Sequence, residues 1–83
     1  MALTTTYIIV PFLAGAGGAL HPGSPRRTLV RSTAVAMADE LAPAYAGVAV
    51  LRDRSDAEAD VFLEPLLVCA MGAVPGHISQ LAA

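Results

Sequence analysis

The sequence predicts one α+β domain over residues 1–83: a small, mostly antiparallel sheet of three to four strands with one main helix on one face, in the order β-(β)-α-β-β. Three observations predict this class: a strand-like opening segment, a single amphipathic helical stripe, and two further apolar strand-like segments. With 55% hydrophobic and only 14% charged residues, the chain has the composition of a folded protein rather than of a disordered one.

The first predicted strand covers residues 4–13, whose sequence TTTYIIVPFL is rich in β-branched and aromatic side chains. Pro11 has no N–H to donate, so its position is expected at a sheet edge or a bulge. Residues 14–25 are rich in glycine and proline and are predicted as turn and loop. A short return strand is expected somewhere in residues 26–30.

The predicted helix follows Ser32, whose hydroxyl could accept a hydrogen bond from a free N–H of the first turn and so act as the N-cap. Apolar residues then recur at i, i+3, i+4, i+7 and i+11, which places them on one helical face. They are Ala34, Met37, Ala38, Leu41 and Tyr45. Pro43 is expected to end or kink the helix, with Gly47 as its C-terminal stop.

Two more segments complete the predicted sheet. Residues 47–52 (GVAVLR) predict a second strong strand. Residues 53–60 are rich in charge and are expected to form a solvated connection at a hairpin tip. Residues 61–64 and 66–71 predict the last extended region, interrupted at Pro65.

Several short motifs follow one another along the chain. Residues 7–12 read YIIVPF, a glycine-rich turn follows, and Ser32 precedes an alanine-rich helix; residues 45–48 read YAGV and residues 72–75 read GAVP. In these motifs the chain resembles a family of short, uncharacterised bacterial proteins with a Y-V-V-x-P-F strand, a helix, an A-G-V strand, an acidic turn and a G-x-V-P ending. The resemblance covers most of the chain. Its motifs are structural, and it implies no known activity.

Charge and hydropathy indicate where the protein works. A net charge of −2, with five arginines against seven acidic residues, argues against nucleic-acid binding, which usually needs a contiguous basic face. The apolar run at residues 7–20 is broken by proline and glycine and is shorter than the ~20 residues of a membrane helix. Residues 1–6 lack the positive charge of a signal peptide. These features predict a cytoplasmic protein that contacts neither nucleic acid nor membrane.

The best candidate site is an anion-binding site formed by Arg26, Arg27 and Arg31 together with Ser32. Guanidinium groups bind phosphate or carboxylate through paired hydrogen bonds, and a helix N-terminus adds a favourable potential for anions. The alternative is a solvated basic loop, or ion pairs with nearby acidic residues. A small enzyme built on the same arginines would use His21 as its acid or base.

Other patterns do not meet the requirements of a site, and no metal, cofactor or catalytic residue is predicted. Residues 15–18 are glycine-rich but lack the GK[ST] of a phosphate loop, so a turn is expected. Residues 56–60 resemble the start of a calcium loop. Val61 and Leu67, however, stand where that loop requires Gly and Glu.

The single cysteine and the two histidines are distant from one another in sequence. Cys69 lies in an apolar segment that would raise its pKa and lower its reactivity, so it is expected as buried filler. A metal site would need three or four clustered ligands, which His21, His77 and Cys69 do not supply by spacing. A Cys–His pair would require one histidine to approach Cys69 in space.

The predicted strands are apolar on both faces, and this bears on assembly. Ile8 and Val10 point to one face and Tyr7 and Ile9 to the other, because side chains alternate along a strand. One helix shields one face only, so we expect a homodimer joined through the sheet. The alternative is a monomer whose glycine-rich loop and C-terminal tail cover the second face. No activity is indicated, and the sequence favours a non-catalytic module that self-associates and contacts another protein or a small ligand.

Overall fold

The computed structural model describes residues 3–56 and 58–79, and in these it has six strands and two α-helices. The strands are β1 (Thr4–Ala14), β2 (Leu20–Pro22), β3 (Arg26–Thr28), β4 (Gly47–Asp56), β5 (Val61–Phe62) and β6 (Leu66–Gly72). The helices are α1 (Arg31–Leu41) and α2 (Gly76–Ser79), and 3₁₀ turns form at Ala16–Gly18 and Ala42–Ala44.

All six strands pair antiparallel in one sheet, with β1 and β4 at its centre. β2 and β3 pair one after the other with the outer edge of β1, and β5 and β6 with the outer edge of β4. The predicted α+β class with an antiparallel sheet is confirmed, but the predicted three to four strands are too few. The reason is local: residues 23–25, with Gly23 and Pro25, separate β2 from β3, and residues 63–65 separate β5 from β6.

The core lies between α1 and one face of the sheet. Ile9, Val48 and Val50 from the central strands and Ala34 and Ala38 from the helix are almost fully buried together. The small alanines let the helix approach the sheet closely. Met37 and Leu41 pack against this cluster as well, so the predicted apolar stripe is confirmed as far as the helix extends; Tyr45 also packs there but lies beyond the end of α1.

The predicted N-cap is wrong. The helix begins at Arg31, its N-cap is Val30 with no side-chain cap, and Ser32 is exposed within the first turn. Thr28 orders the approach to the helix instead, because its Oγ1 accepts a hydrogen bond of 3.3 Å from the N–H of Val30. At the other end, α1 stops before Pro43, as expected. Gly47 is not the helix stop: it is the first residue of β4.

Pro11 lies inside the central strand β1, fully buried, rather than at an edge or a bulge. Its carbonyl accepts a hydrogen bond of 2.7 Å from the N–H of Gly23, on the side away from β4. Backbone N–H and C=O groups of one residue point to the same side of a strand. The missing N–H of Pro11 therefore faces residues 23–25, where β2 has ended and β3 has not begun, and no ladder bond is lost.

The second face of the sheet is partly covered by the chain itself. Gly72 has a φ of 69° and turns the chain after β6 across this face. The Ala73 backbone lies directly over Gly47, where a Cβ would meet its N at 2.8 Å. On this face Phe12, which is paired with Gly47, and Leu51 are buried, whereas Ile8 and Val10 are half-buried.

Candidate functional site

The structure places two arginines of the predicted anion site, Arg26 and Arg27, on opposite faces of the sheet. Arg26 is paired with Ile9 and Arg27 with Ile8, so their side chains leave β3 on opposite faces of the sheet. Arg26 is half-buried on the face that carries α1, and Arg27 is exposed on the other. The two side chains are separated because successive residues of a strand point to opposite faces of the sheet.

Arg31 and Ser32 lie together in the first turn of α1, and both are exposed. The first helical hydrogen bond joins the N–H of Ala34 to the carbonyl of Val30 at 3.0 Å. The N–H groups of residues 31–33 therefore have no partner within the helix. Among residues 3–56 and 58–79, no carboxylate forms an ion pair with any of the three arginines. The predicted anion site is thus divided, and binding of an anion there stays a prediction.

Sequence reasoning missed Arg52 and Arg54, because the predicted strand ended at residue 52 whereas β4 continues to Asp56. Arg52 lies between Tyr7 and Leu66 in the sheet, on the α1 face. Its Nε is buried without a hydrogen-bond partner. Arg54 points to the same face, two residues further on. The spacing of Arg52 and Arg54 could have indicated this, because two residues that are two positions apart on a strand lie on the same face of the sheet.

His21 does not form a catalytic pair with Cys69. His21 lies on β2, opposite Leu13, at one edge of the sheet, and Cys69 lies on β6 at the other edge. His21 and Arg26 share a face but their β1 partners are four residues apart, which is about 13 Å along a strand. The side chain of His77 falls outside the described residues.

Within residues 3–56 and 58–79, no cluster of ionisable ligands offers a metal site. In the part of the chain that the structure describes, no group of three His, Cys, Asp or Glu side chains converges on one point. The segment that resembled a calcium loop is a hydrogen-bonded turn, where Asp56 Oδ1 accepts from the N–H groups of Glu58 and Ala59 at 3.1 and 3.2 Å. Ala57, within that segment, falls outside the described residues. Asp60 closes the turn with a φ of 57°.

Cys69 is half-buried on the α1 face of β6, opposite Val50. Burial raises the pKa of its thiol; the carboxylate of Asp39 raises it further and the guanidinium of Arg31 lowers it. The predicted direction of the pKa shift is confirmed.

The described residues enclose no pocket, so the surface itself is the candidate site. No helix among them has the length and apolar character to cross a bilayer. The most distinctive surface is β6, because no described strand pairs with its side away from β4. Val68, Cys69 and Met71 of this strand pack against the core but are only half-buried. We call the unpaired side of Leu66–Gly72 the open edge.

Comparison of the chain with protein-family models, curated proteins and solved structures finds no match. The resemblance to a family of short bacterial proteins therefore stays a prediction.

Proposed function

We propose that this chain is a non-catalytic α+β module that associates with a second copy of itself through the sheet, and that acts by contact with another protein or a small ligand. The observation that carries the proposal is the exposure of β6 and the absence of a partner strand on one of its sides within the described chain. An outermost strand of seven residues, with apolar side chains half-buried on both of its faces, has one side unpaired within the described chain.

Half-exposed apolar side chains continue from β6 into the centre of the sheet. On the face opposite α1, Leu67 adjoins Leu51, which adjoins Ile8, and Val10 is two residues along from Ile8. Ile8, Val10 and Leu67 are half-buried although they belong to central or neighbouring strands. Soluble monomers seldom expose contiguous apolar surface, so this face of the sheet supports contact with another protein, in addition to the unpaired side of β6.

The mass in solution tests this proposal. Light scattering after gel filtration should give about twice the 8.5 kDa of one chain, and the mass should fall on dilution. A mass that stays at one chain at the highest soluble concentration would overturn self-association. A cytoplasmic location belongs to the same proposal and is checked by fractionation of the native source.

Anion binding is the second candidate function, and one observation favours it. The N–H groups of the first turn of α1 lack a side-chain cap, and Arg31 stands beside them without an ion pair among the described residues. A helix N-terminus of this kind attracts phosphate or carboxylate. Thermal-shift measurements with inorganic phosphate and with sulfate, at low ionic strength, test the proposal because a bound ligand stabilises the folded state. No shift with either anion would overturn it.

A further inference from the structure

We propose that β6 pairs antiparallel with β6 of a second copy, about a two-fold axis at Cys69, so that two sheets become one continuous sheet. This inference rests on the proposed self-association and specifies the surface and the symmetry. It follows from the two edges of the sheet, from the direction of the backbone groups in β6, and from the charges on α1.

The two edges of the sheet differ in how they are protected. The outer edge of β1 is occupied by β2 and β3, which have three residues each, with a gap at residues 23–25 and prolines at positions 22 and 25. Arg26 and Arg27 add charge to that edge. Short strands, prolines and charges are the usual means of preventing pairing with another chain. The open edge is longer, and its sequence LLVCAMG carries no charge and no proline; its one irregularity is a bulge at Val68, where the register to β4 shifts between Val50 and Leu51.

The direction of the backbone groups in β6 follows from the register. The Pro11 carbonyl faces β2 and β3, so Phe12 and Val10 face β4, and Val48 and Val50 in turn face β6. Their partners Met71 and Cys69 then bond inward, toward β4. Ala70, between them, directs its N–H and C=O outward. The open edge therefore offers backbone donors and acceptors to a further strand.

The two edges favour a second copy of this chain as the partner that pairs with β6. An open edge cannot pair with the protected edge of β2 and β3, so head-to-tail addition is blocked. It can pair with another open edge, and an antiparallel pair of identical strands is two-fold symmetric and closes after two copies. The middle residue of Leu66–Gly72 is Cys69. Full overlap of two such strands therefore places Cys69 opposite Cys69 of the second copy.

The charges of α1 match this symmetry. Arg31, Val35 and Asp39 are spaced by four residues and so lie along one side of the helix. α1 packs over β1, β4 and β3, and Cys69 of β6 lies on the same face of the sheet. A two-fold axis at Cys69 makes the two helices antiparallel. The Arg31 end of one helix then lies at the same end of the dimer as the Asp39 end of the other, so the two copies are complementary in charge.

Disulfide trapping tests the register. Because Cys69 bonds inward, two Cys69 residues would form a non-hydrogen-bonded pair, with Cα atoms about 4.5 Å apart, which is within the range that a disulfide spans. The full chain is oxidised with diamide at alkaline pH and analysed by non-reducing electrophoresis, in parallel with light scattering. The matched control is the double variant Cys69→Ser/Ser24→Cys, whose only cysteine is exposed in the gap of the protected edge.

The expected result is a dimer by mass, with most of the wild-type chain trapped as a disulfide dimer and little of the control trapped. A dimer by mass whose Cys69 is not trapped would overturn the open-edge pairing and leave self-association standing. Trapping of the control as efficiently as the wild type would also overturn the pairing. A single-chain mass at every concentration would overturn both proposals.

An Ala70→Pro variant gives an independent readout. Proline at position 70 removes an outward N–H, not one that bonds to β4, so the circular dichroism spectrum should be retained while the mass falls to that of one chain. A folded variant that stays a dimer would contradict the pairing. If the variant does not fold, disulfide trapping of the wild-type chain decides the question alone.

Discussion

Replacing Gly47 with alanine tests whether the chain after β6 crosses the sheet as the structure has it. A Cβ at position 47 would run into the Ala73 backbone, meeting its carbonyl carbon at 2.5 Å and its N at 2.8 Å. Real Cβ atoms do not approach backbone this closely, so the crossing segment must move. It is not free to do so, because the N–H of Ala73 donates a hydrogen bond of 2.9 Å to the carbonyl of Ala46.

The expected cost follows from the nature of the obstacle. Adding a methyl group to a well-packed site costs about 1–3 kcal/mol. The clash at Gly47 is with backbone rather than with a flexible side chain, so we expect a value near the upper end, about 3 kcal/mol. For a domain of this size that lowers the melting temperature by about 12–24 °C.

The assay is urea unfolding followed by circular dichroism, at one fixed protein concentration because self-association would add to the apparent stability. Gly76→Ala is the control, since a Cβ at position 76 meets nothing within 4 Å; this change should leave stability unaltered or raise it slightly. A loss below about 0.5 kcal/mol for Gly47→Ala would show that Ala73 does not lie over β4.

Three further predictions concern the core, the thiol and the arginines. Ile9→Ala should cost about 3–4 kcal/mol in urea unfolding, because Ile9 is fully buried, and Leu41→Ala only about 1–2 kcal/mol, because Leu41 is half-buried; equal losses would contradict the assigned burial. The pKa of the Cys69 thiol is raised in the folded state. The free energy of unfolding should therefore be highest below the ordinary thiol pKa and decline as pH rises through it. Cys69→Ser should remove that decline in melting temperatures measured across alkaline pH. If phosphate raises the melting temperature at low salt, Arg31→Ala should reduce the increase and Arg27→Ala, whose side chain is on the other face, should not; an equal effect of both would show that the anion is bound elsewhere.

The helix and the central strands could be predicted from the sequence because each is specified by a repeated local pattern. The stripe Ala34, Ala38, Leu41 has the period of a helix, and residues 4–13 and 47–52 combine β-branched side chains with flanking glycine or loop. Burial reinforces these patterns in the folded state: Ala34 and Ala38 are fully buried, and Val48 and Val50 line the same core. Local preference and tertiary packing agree in these elements.

The divided edge strands could not be predicted in the same way. β2, β3 and β5 have two or three residues each, which is too short for a periodic pattern to be recognised. They are strands only because β1 and β4 are long enough to supply backbone partners beside them. Ser32 was wrongly predicted as the N-cap. The N-cap is Val30, two residues earlier, and its N–H is held by the hydroxyl of Thr28.

The candidate site was predicted less well than the fold, because charged residues were grouped by nearness in sequence. Arg26 and Arg27 are adjacent in the chain, but alternation sends them to opposite faces. Arg52 and Arg54 are separated in the chain but share a face. For cations on strands, the period of two decides which of them can bind one anion. A prediction that extended β4 to Asp56 would have found the second pair.

The positions of the prolines and the charged residues determine which edge of the sheet can pair with another chain. Pro22 and Pro25 lie along the outer edge of β1, and Arg26 and Arg27 follow there. Each removes an N–H or adds a charge at a place where another chain could otherwise add a strand. Residues 66–72 on the opposite side have neither feature. A sheet with two open edges would extend without limit, and one with two protected edges would not pair at all. One protected and one open edge limit pairing to two copies, which is the arrangement that disulfide trapping at Cys69 tests directly.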